Sequence, residues 1–380
     1  MNNFIFKNPT EIIFGRGMIK EISSRVPKDV PVMMVCGGGS IKRNGVYSQV
    51  KKALKNHRVI EFWGIEPNPY YETCLKAVEI VKKKKVKFLI AVGGGSVLDA
   101  AKMIAATAVY KGKDPWDILR TNGADLKEAL PLGTVLTLPA TGSESNGNSV
   151  ISRKTTQEKL FFGAACAFPV FSVLDPDVTF SLPKKQVRNG VVDAFVHVME
   201  QYMTYPVSAP IQDRFAEGIL QTLVDVGPQT LKRMKDYDSR ASFMWSATLA
   251  LNNLISCGVP QDWTTHMIGH EVTAFYGLDH AETLAIIMPG VWTHQFKRKQ
   301  AKLKQYGQRI FGVKTAKEAI ARTEKFFHSI GMPTRFSDYG IDAKEVAKRV
   351  SARFAERGST FGEYNDIKPS EVAAILLSRC

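Results

Sequence analysis

Two different rhythms of apolar and polar residues divide the chain. In the first half, short unbroken apolar runs alternate with stretches of helical spacing. The runs are Val32 to Val35, Val59 to Trp63, Phe88 to Val92, Gly133 to Leu138 and Val170 to Leu174. Between them, Tyr71 to Lys85 and Val97 to Val109 repeat apolar residues at the period of one helix face. A strand that is apolar throughout is covered on both sides, so the alternation predicts a doubly wound, mostly parallel α/β sheet. From about Pro183 the strand-like runs nearly vanish. Asp213 to Asp225, Ser242 to Cys257 and Ala316 to Ile330 carry helical spacing instead. The turn-rich stretch from Asp175 to Pro183 marks the change. The expectation is an α/β domain over 1–180 followed by an all-helical domain over 181–380. A length of 380 residues suits about two or three domains, and no internal repeat is visible.

Two glycine clusters follow predicted strands: Gly37-Gly38-Gly39-Ser40 and Gly93-Gly94-Gly95-Ser96. Glycines let backbone approach a diphosphate, and the N–H groups at a helix start supply donors and positive potential. Open α/β sheets bind ligands at the carboxyl ends of their strands. Neither cluster has the G-x-G-x-x-G spacing of the common dinucleotide fingerprint. A sheet that binds NAD usually ends an early strand with a carboxylate for the adenosine ribose. Here no acid occupies that turn, and Ser40, Lys42 and Arg43 follow. A 2′-phosphate would meet a hydroxyl and two cations, which favours NADP over NAD. The plain alternative is that Lys42 and Arg43 point to solvent.

The seven histidines are His57, His197, His266, His270, His280, His294 and His328. Asp193 and His197 lie four apart, as do His266 and His270, and on a helix each pair shares a face. His280 follows in a loop-like Gly277-Leu278-Asp279-His280. One such pair is commonly a local hydrogen bond. Two pairs and a further histidine together give the oxygen and nitrogen donors that suit divalent iron or zinc. No second histidine completes H-E-x-x-H after His270, so the pattern is not a zincin. His57 and His328 read as surface residues, and His294 as structural or exposed.

Composition narrows the classes. Hydrophobic residues make up 44% and charged residues 23%, which fits a globular protein. No apolar run approaches the roughly 18–20 residues that cross a bilayer, and the first residues lack a signal-peptide pattern. Five dispersed cysteines, with no C-x-x-C pair, fit reduced thiols in a cytoplasmic protein. A formal net charge of +15 raises nucleic-acid binding. The two basic runs, Lys82 to Lys85 and Lys297 to Lys304, carry no interleaved aromatics or nucleic-acid motif. They read as solvated basic faces.

Taken in order, Gly93 to Lys102, Thr137 to Glu144, the Asp193/His197 pair and the His266, His270 and His280 segment resemble the iron-containing (group III) alcohol dehydrogenase family. The resemblance covers essentially the whole chain. The Gly37 to Ser40 turn and Gln261-Asp262-Trp263 look closest to the NADPH-dependent aldehyde reductase and butanol dehydrogenase branch. The resemblance implies that Asp193, His197, His266 and His280 hold one divalent metal ion, Fe2+ or Zn2+. It implies that Gly94, Gly95 and Ser96 bind the diphosphate of NADPH/NADP and that Gly38, Gly39 and Ser40 face the 2′-phosphate. Asn68, Thr137, Leu138 and Lys159 would line the rest of the groove. Asp99 and His270 would lie near the nicotinamide, where hydride transfer reduces short and medium aldehydes to primary alcohols. A homodimer, through the Asn3 to Phe14 segment, is a further expectation. Three readings compete. A polyol dehydrogenase or a lyase resembling dehydroquinate synthase could share the architecture, and the lyase would show no net cofactor turnover. A basic nucleic-acid-binding protein would leave Asp193, His197, His266 and His280 without a purpose.

Overall fold

The computed structural model describes all 380 residues. It contains eight strands: β1 (Glu11–Phe14), β2 (Val32–Cys36), β3 (Val59–Phe62), β4 (Phe88–Gly94), β5 (Leu132–Leu138), β6 (Asn148–Arg153), β7 (Glu158–Gly163) and β8 (Phe171–Leu174). Two compact units account for the chain. One comprises Lys7–Pro183 with Lys235–Thr248; the other comprises Met1–Phe6, Lys184–Met234 and Leu249–Cys380.

The first unit is built on a six-stranded sheet in the order β1-β8-β5-β4-β2-β3, parallel throughout. Side chains of a strand alternate between faces, and each face has its own core. Met33, Val35, Leu89, Ala91, Leu136 and Leu174 pack on one side with α3 (Tyr71–Lys84) and α4 (Gly95–Val109). Val32, Met34, Cys36, Ile90, Val92 and Val173 pack on the other with α1 (Ser40–Arg43) and α2 (Val46–Ala53). Burial on both faces explains why these strands read as unbroken apolar runs. Gly133 lies under Phe171, where a Cβ would sit 2.2 Å from the ring. The chain leaves β2 for β3 on one side and returns as β4 on the other. That reversal is the topological switch point, where open α/β sheets bind ligands. A short helix, α5 (Asp117–Arg120), and the antiparallel β6–β7 hairpin complete the unit with α8 (Tyr237–Ala250).

Two strand features were not visible in the pattern. β1 is only four residues long, and the β6–β7 pair is interrupted by the polar turn around Gln157, whose φ is +51°. The helix expected over 242–257 instead ends at Ala250. Asn252 accepts from the Leu254 N–H (3.1 Å) and Asn253 takes φ +72°. Asparagine side chains offer backbone groups a local alternative to the helix.

The second unit is helical: α6 (Lys184–Tyr202), α7 (Pro210–Lys232), α9 (Thr264–Tyr276), α10 (His280–His294), α11 (Phe296–Tyr306), α12 (Ala316–Ser329), α13 (Ala343–Glu356) and α14 (Pro369–Leu377). Ile268, Val272, Ile286, Ile287, Val346, Val350 and Ile375 form a core among α9, α10, α13 and α14. The basic run on α11 is a solvated face only in part: Lys297, Arg298 and Lys304 are exposed, but Lys299 and Lys302 turn inward. Lys299 is 3% exposed and Lys302 spans the Tyr202 ring at 4.1 Å to reach Asp213. Every third or fourth residue of a helix faces its neighbours whatever its charge. Lys82 to Lys85, by contrast, are exposed.

Candidate active site

The two glycine clusters meet at the switch point. Cys36 at the end of β2 pairs with Val92 of β4, so Gly37 and Gly93 lie at the mouths of adjacent strands. The β4–β5 register slips between Gly93 and Gly94, and Gly94 then caps α4. A Cβ on Gly95 would meet Thr141 at 2.6 Å, and one on Gly93 would meet Val97 at 2.5 Å. The turn therefore closes only with glycine. Gly38 and Gly39 face open space, and Gly39 has φ +99°. Ser40, Lys42 and Arg43 are exposed, and the Lys42 ammonium lies 4.0 Å over the Trp63 ring. A cation held on an aromatic face stays close to the turn, which argues against the purely solvated alternative.

The residues expected to line the groove fall into two groups. Lys159 of β7 donates from Nζ to Asn68 Oδ1 at 2.8 Å. The contact arises because the Ser152 N–H bonds the Pro69 carbonyl and lays the hairpin against that loop. Thr137 and Leu138 end β5, with Leu138 opposite Gly94. Asp99, on α4, is buried. Its Oδ1 accepts from Ser143 Oγ (2.6 Å) and its Oδ2 from the Val150 N–H (3.0 Å). Lys102 is also fully buried and donates to Ser143 Oγ (2.9 Å), Asn146 Oδ1 (3.2 Å) and the Asn148 carbonyl (2.8 Å). Burial pushes the Asp99 carboxyl up, opposed by Lys102. It pushes the Lys102 ammonium down to about 8, opposed by Asp99 and Glu144.

In the helical unit, Asp193, His266 and His280 bring ligand atoms within 4.8 Å of one another. Asp193 Oδ1 lies 3.7 Å from His280 Nε2 and 3.8 Å from His197 Nδ1. Donors about 2.0–2.2 Å from a tetrahedral metal would be about 3.3–3.6 Å apart. The spacing fits an ion after small side-chain adjustments. The His197 and His266 rings stack with centroids 4.6 Å apart. Burial pushes the His197 imidazole down to about 4, opposed by the Asp193 carboxylate. His197 is thus neutral at pH 7, the form that ligates, and its buried Nδ1 makes no hydrogen bond. A metal-sized cluster of one carboxylate and three imidazoles, with a donor atom left over on His197, fits a divalent metal. His270 stands next to this group. Its ring centroid is 5.3 Å from that of His280 and 6.4 Å from that of His266.

Local structure sets these positions. Asp193 and His197 are one turn apart on α6, and Gly269 lets α9 approach Thr283 and Leu284 of α10. His280 is not in a loop, which corrects the expectation; it is the first residue of α10. Asp279 precedes it as the cap, and the Asp279 N–H donates to Glu282 Oε2 (3.0 Å). Lys185 and Asn189 of α6 both reach Asp279 at 2.9 Å, which ties the start of α10 to α6.

One contributor escaped the sequence reading. Glu200 is buried one turn beyond His197, accepts from the Thr265 N–H (2.6 Å) and pairs through Oε2 with His266 Nδ1. That contact engages Nδ1 and leaves Nε2 as the ring's ligand atom. The positions 193, 197 and 200 recur on one helix face, a signal that could have found it. Ser143 and Lys102, which hold Asp99, likewise went unnoticed.

The chain matches two family models in succession. Residues 9–176 match the iron-containing alcohol dehydrogenase model, and residues 188–380 match the C-terminal model of the Fe-containing alcohol dehydrogenase family. It is 54% identical over 375 residues to the NADPH-dependent aldehyde reductase YqhD of Escherichia coli (strain K12), covering 97% of each chain. It is 44% identical to NADP-dependent alcohol dehydrogenase 3 of Entamoeba histolytica, covering 97% of this chain and 96% of that one. The crystal structure of E. coli K-12 YqhD superposes with a TM-score of 0.98 at 52% identity, over 100% of this chain and 99% of that chain. With a parallel nucleotide-type sheet, a helical unit bearing an Asp/His cluster, and family matches across both, this chain belongs to the iron-containing alcohol dehydrogenase family.

Proposed function

We propose that this protein is an NADPH-dependent aldehyde reductase whose divalent metal is held by Asp193, His197, His266 and His280. The observation that carries the reading is the convergence of Asp193, His266 and His280 ligand atoms within 4.8 Å, with the buried His197 Nδ1 3.8 Å from Asp193 Oδ1. When bound, the metal supplies a Lewis acid and NADPH the hydride, so that aldehyde, NADPH and a proton become primary alcohol and NADP+. The chain's own residues orient these groups. Gly94, Gly95 and Ser96 present backbone N–H groups at the start of α4 to the diphosphate. Gly38, Gly39 and Ser40 leave room for the adenosine 2′-phosphate, with Lys42 near. Asn68, Lys159, Thr137 and Leu138 line the groove. Asp99, fixed by Ser143 and Val150, faces the nicotinamide end, and a proton reaches the product oxygen through water, a ribose hydroxyl or His270. In this reading the cofactor belongs to the domain of residues 1–180 and the metal to that of 181–380.

No helix is long and apolar enough to cross a membrane. All five cysteines are free, which supports a reducing, cytoplasmic setting. The protein is proposed to work as a homodimer. Phe4, Ile5 and Phe6 are exposed, and β1 is an edge strand of the sheet, open to pairing.

The test is a metal analysis combined with an aldehyde panel run with NADPH and with NADH. Stoichiometric metal and turnover that consumes NADPH are expected. Turnover without net cofactor oxidation would instead indicate the lyase reading.

A further inference from the structure

The buried lysine of the α11 basic run has no place in the reaction so far. Lys299 is 3% exposed, and its ammonium meets three acceptors: the Met203 carbonyl at 2.6 Å, Asp262 Oδ2 at 3.0 Å and Glu363 Oε2 at 3.0 Å. Both carboxylates are buried as well, with side chains 5% and 1% exposed. The two arms of this cluster lead to different places. Glu363 lies near the C-terminal end of the chain. Asp262 lies at the threshold of α9, two residues before its start. Its Oδ1 accepts from the Thr264 N–H (3.2 Å) and Thr264 Oγ1 (2.5 Å), and its own N–H bonds the Glu200 carbonyl at 2.8 Å. Glu200 in turn grips the Thr265 N–H and His266 Nδ1.

We infer that Lys299 is a positioning residue for the metal site: by clamping Asp262 it fixes where α9 begins relative to Glu200, and so where His266 presents Nε2. The inference rests on the ligand assignment above. A buried ion pair adds little net stability compared with apolar packing of the same volume. Its distinctive effect is geometric, because each charge has one satisfactory place. Here the residue whose carboxylate is clamped leads into the helix that carries two histidines, and its own N–H bonds the carbonyl of the residue that orients one of them. Outer partners of this kind commonly set metal affinity by about 10- to 100-fold.

The experiment compares Lys299→Met, Asp262→Asn, their double variant, Glu363→Gln and His266→Ala. Apo proteins are titrated with Zn2+ against a competing chelator, well below the lowest apo Tm. Lys299→Met and Asp262→Asn should each weaken Zn2+ binding by about 10- to 100-fold. The double variant should lose no more than the worse single one, since both break one chain of contacts. Glu363→Gln removes a charge from the same lysine, yet should keep the Zn2+ affinity of the unmodified protein. Equal weakening in Glu363→Gln would reduce the cluster to a general stabiliser, and unchanged affinity in Lys299→Met would overturn the inference outright. If Lys299→Met does not fold, Asp262→Asn decides alone by the same criterion. His266→Ala separates the two levels. Zn2+ retained there removes the metal assignment itself, whereas Zn2+ lost there but kept in Lys299→Met removes only the positioning role.

Discussion

Single side chains around His266 divide into those that touch a metal and those that aim one. Glu200 belongs to the second kind, because its carboxylate occupies Nδ1 and so leaves Nε2 for a ligand role. Glu200→Gln should therefore weaken metal binding by about 10- to 100-fold without abolishing it, as a chelator competition would read. His270→Ala should behave differently: bound metal stays near stoichiometric while single-turnover hydride transfer slows. Metal loss in that variant as complete as in His266→Ala would make His270 a ligand. In the cofactor turn, the structure decides which glycine to alter. Gly39 has φ +99°, so any side chain there is strained, whereas Gly38 faces open space at an ordinary φ. Gly38→Asp should therefore cost about 1–3 kcal/mol of NADPH binding, through repulsion and a lost charge-assisted contact. NADH binding should change much less, and isothermal titration with the two cofactors makes the comparison.

The helices α9 and α10 form the element that turns separate histidines into one group. They approach closely because Gly269 has no side chain where Thr283 Oγ1 stands 2.9 Å and Leu284 3.2 Å from a would-be Cβ. Thr283 cannot step aside freely, since its hydroxyl donates to the His280 carbonyl at 2.7 Å. Gly269→Val should force the pair apart. A loss of about 1–3 kcal/mol is expected from overpacking, seen as a lower apo Tm. Because the wedge lies between His266 and His280, metal affinity should fall as well. A drop in Tm with unchanged metal binding would show that the helices are free to adjust without moving the site.

For the whole molecule, the expected direction is reduction, on several short and medium aldehydes. The NADP-type turn couples the protein to a pool that cells usually keep reduced. No paired-arginine clamp for a substrate carboxylate is visible in the sequence, so discrimination should rest on apolar contacts, worth about 1–3 kcal/mol per methylene. From acetaldehyde to hexanal, kcat/KM should thus change modestly between neighbours. One aldehyde favoured by several orders of magnitude, or faster alcohol oxidation at neutral pH, would sink this expectation. Assembly is testable on the same scale. With Phe4, Ile5 and Phe6 exposed, Ile5→Asp should shift a dimer toward monomer in sedimentation. An unchanged mass would overturn the proposed interface at this segment.

Much of this protein was decided by local pattern. Parallel strands buried on both faces must be apolar throughout, so β2, β4 and β5 stood out in the sequence. Glycine turns stood out because backbone that crowds Thr141 and Val97 admits nothing larger. The Asp193/His197 and His266/His270 pairs declared themselves because helix geometry puts residues four apart on one face. Other features depend on partners distant in sequence. Nothing around Lys299 distinguishes it from its exposed neighbours until Asp262 and Glu363 fold against it. Glu200 gains its role from His266, 66 residues away, and Asp99 from Ser143, 44 residues away. His280 looked like loop because helix caps are local and weak, whereas its place at the head of α10 is held by Lys185 and Asn189 of α6. Periodicity reports which face of an element is buried. Which residues meet across that face is settled only when the elements pack.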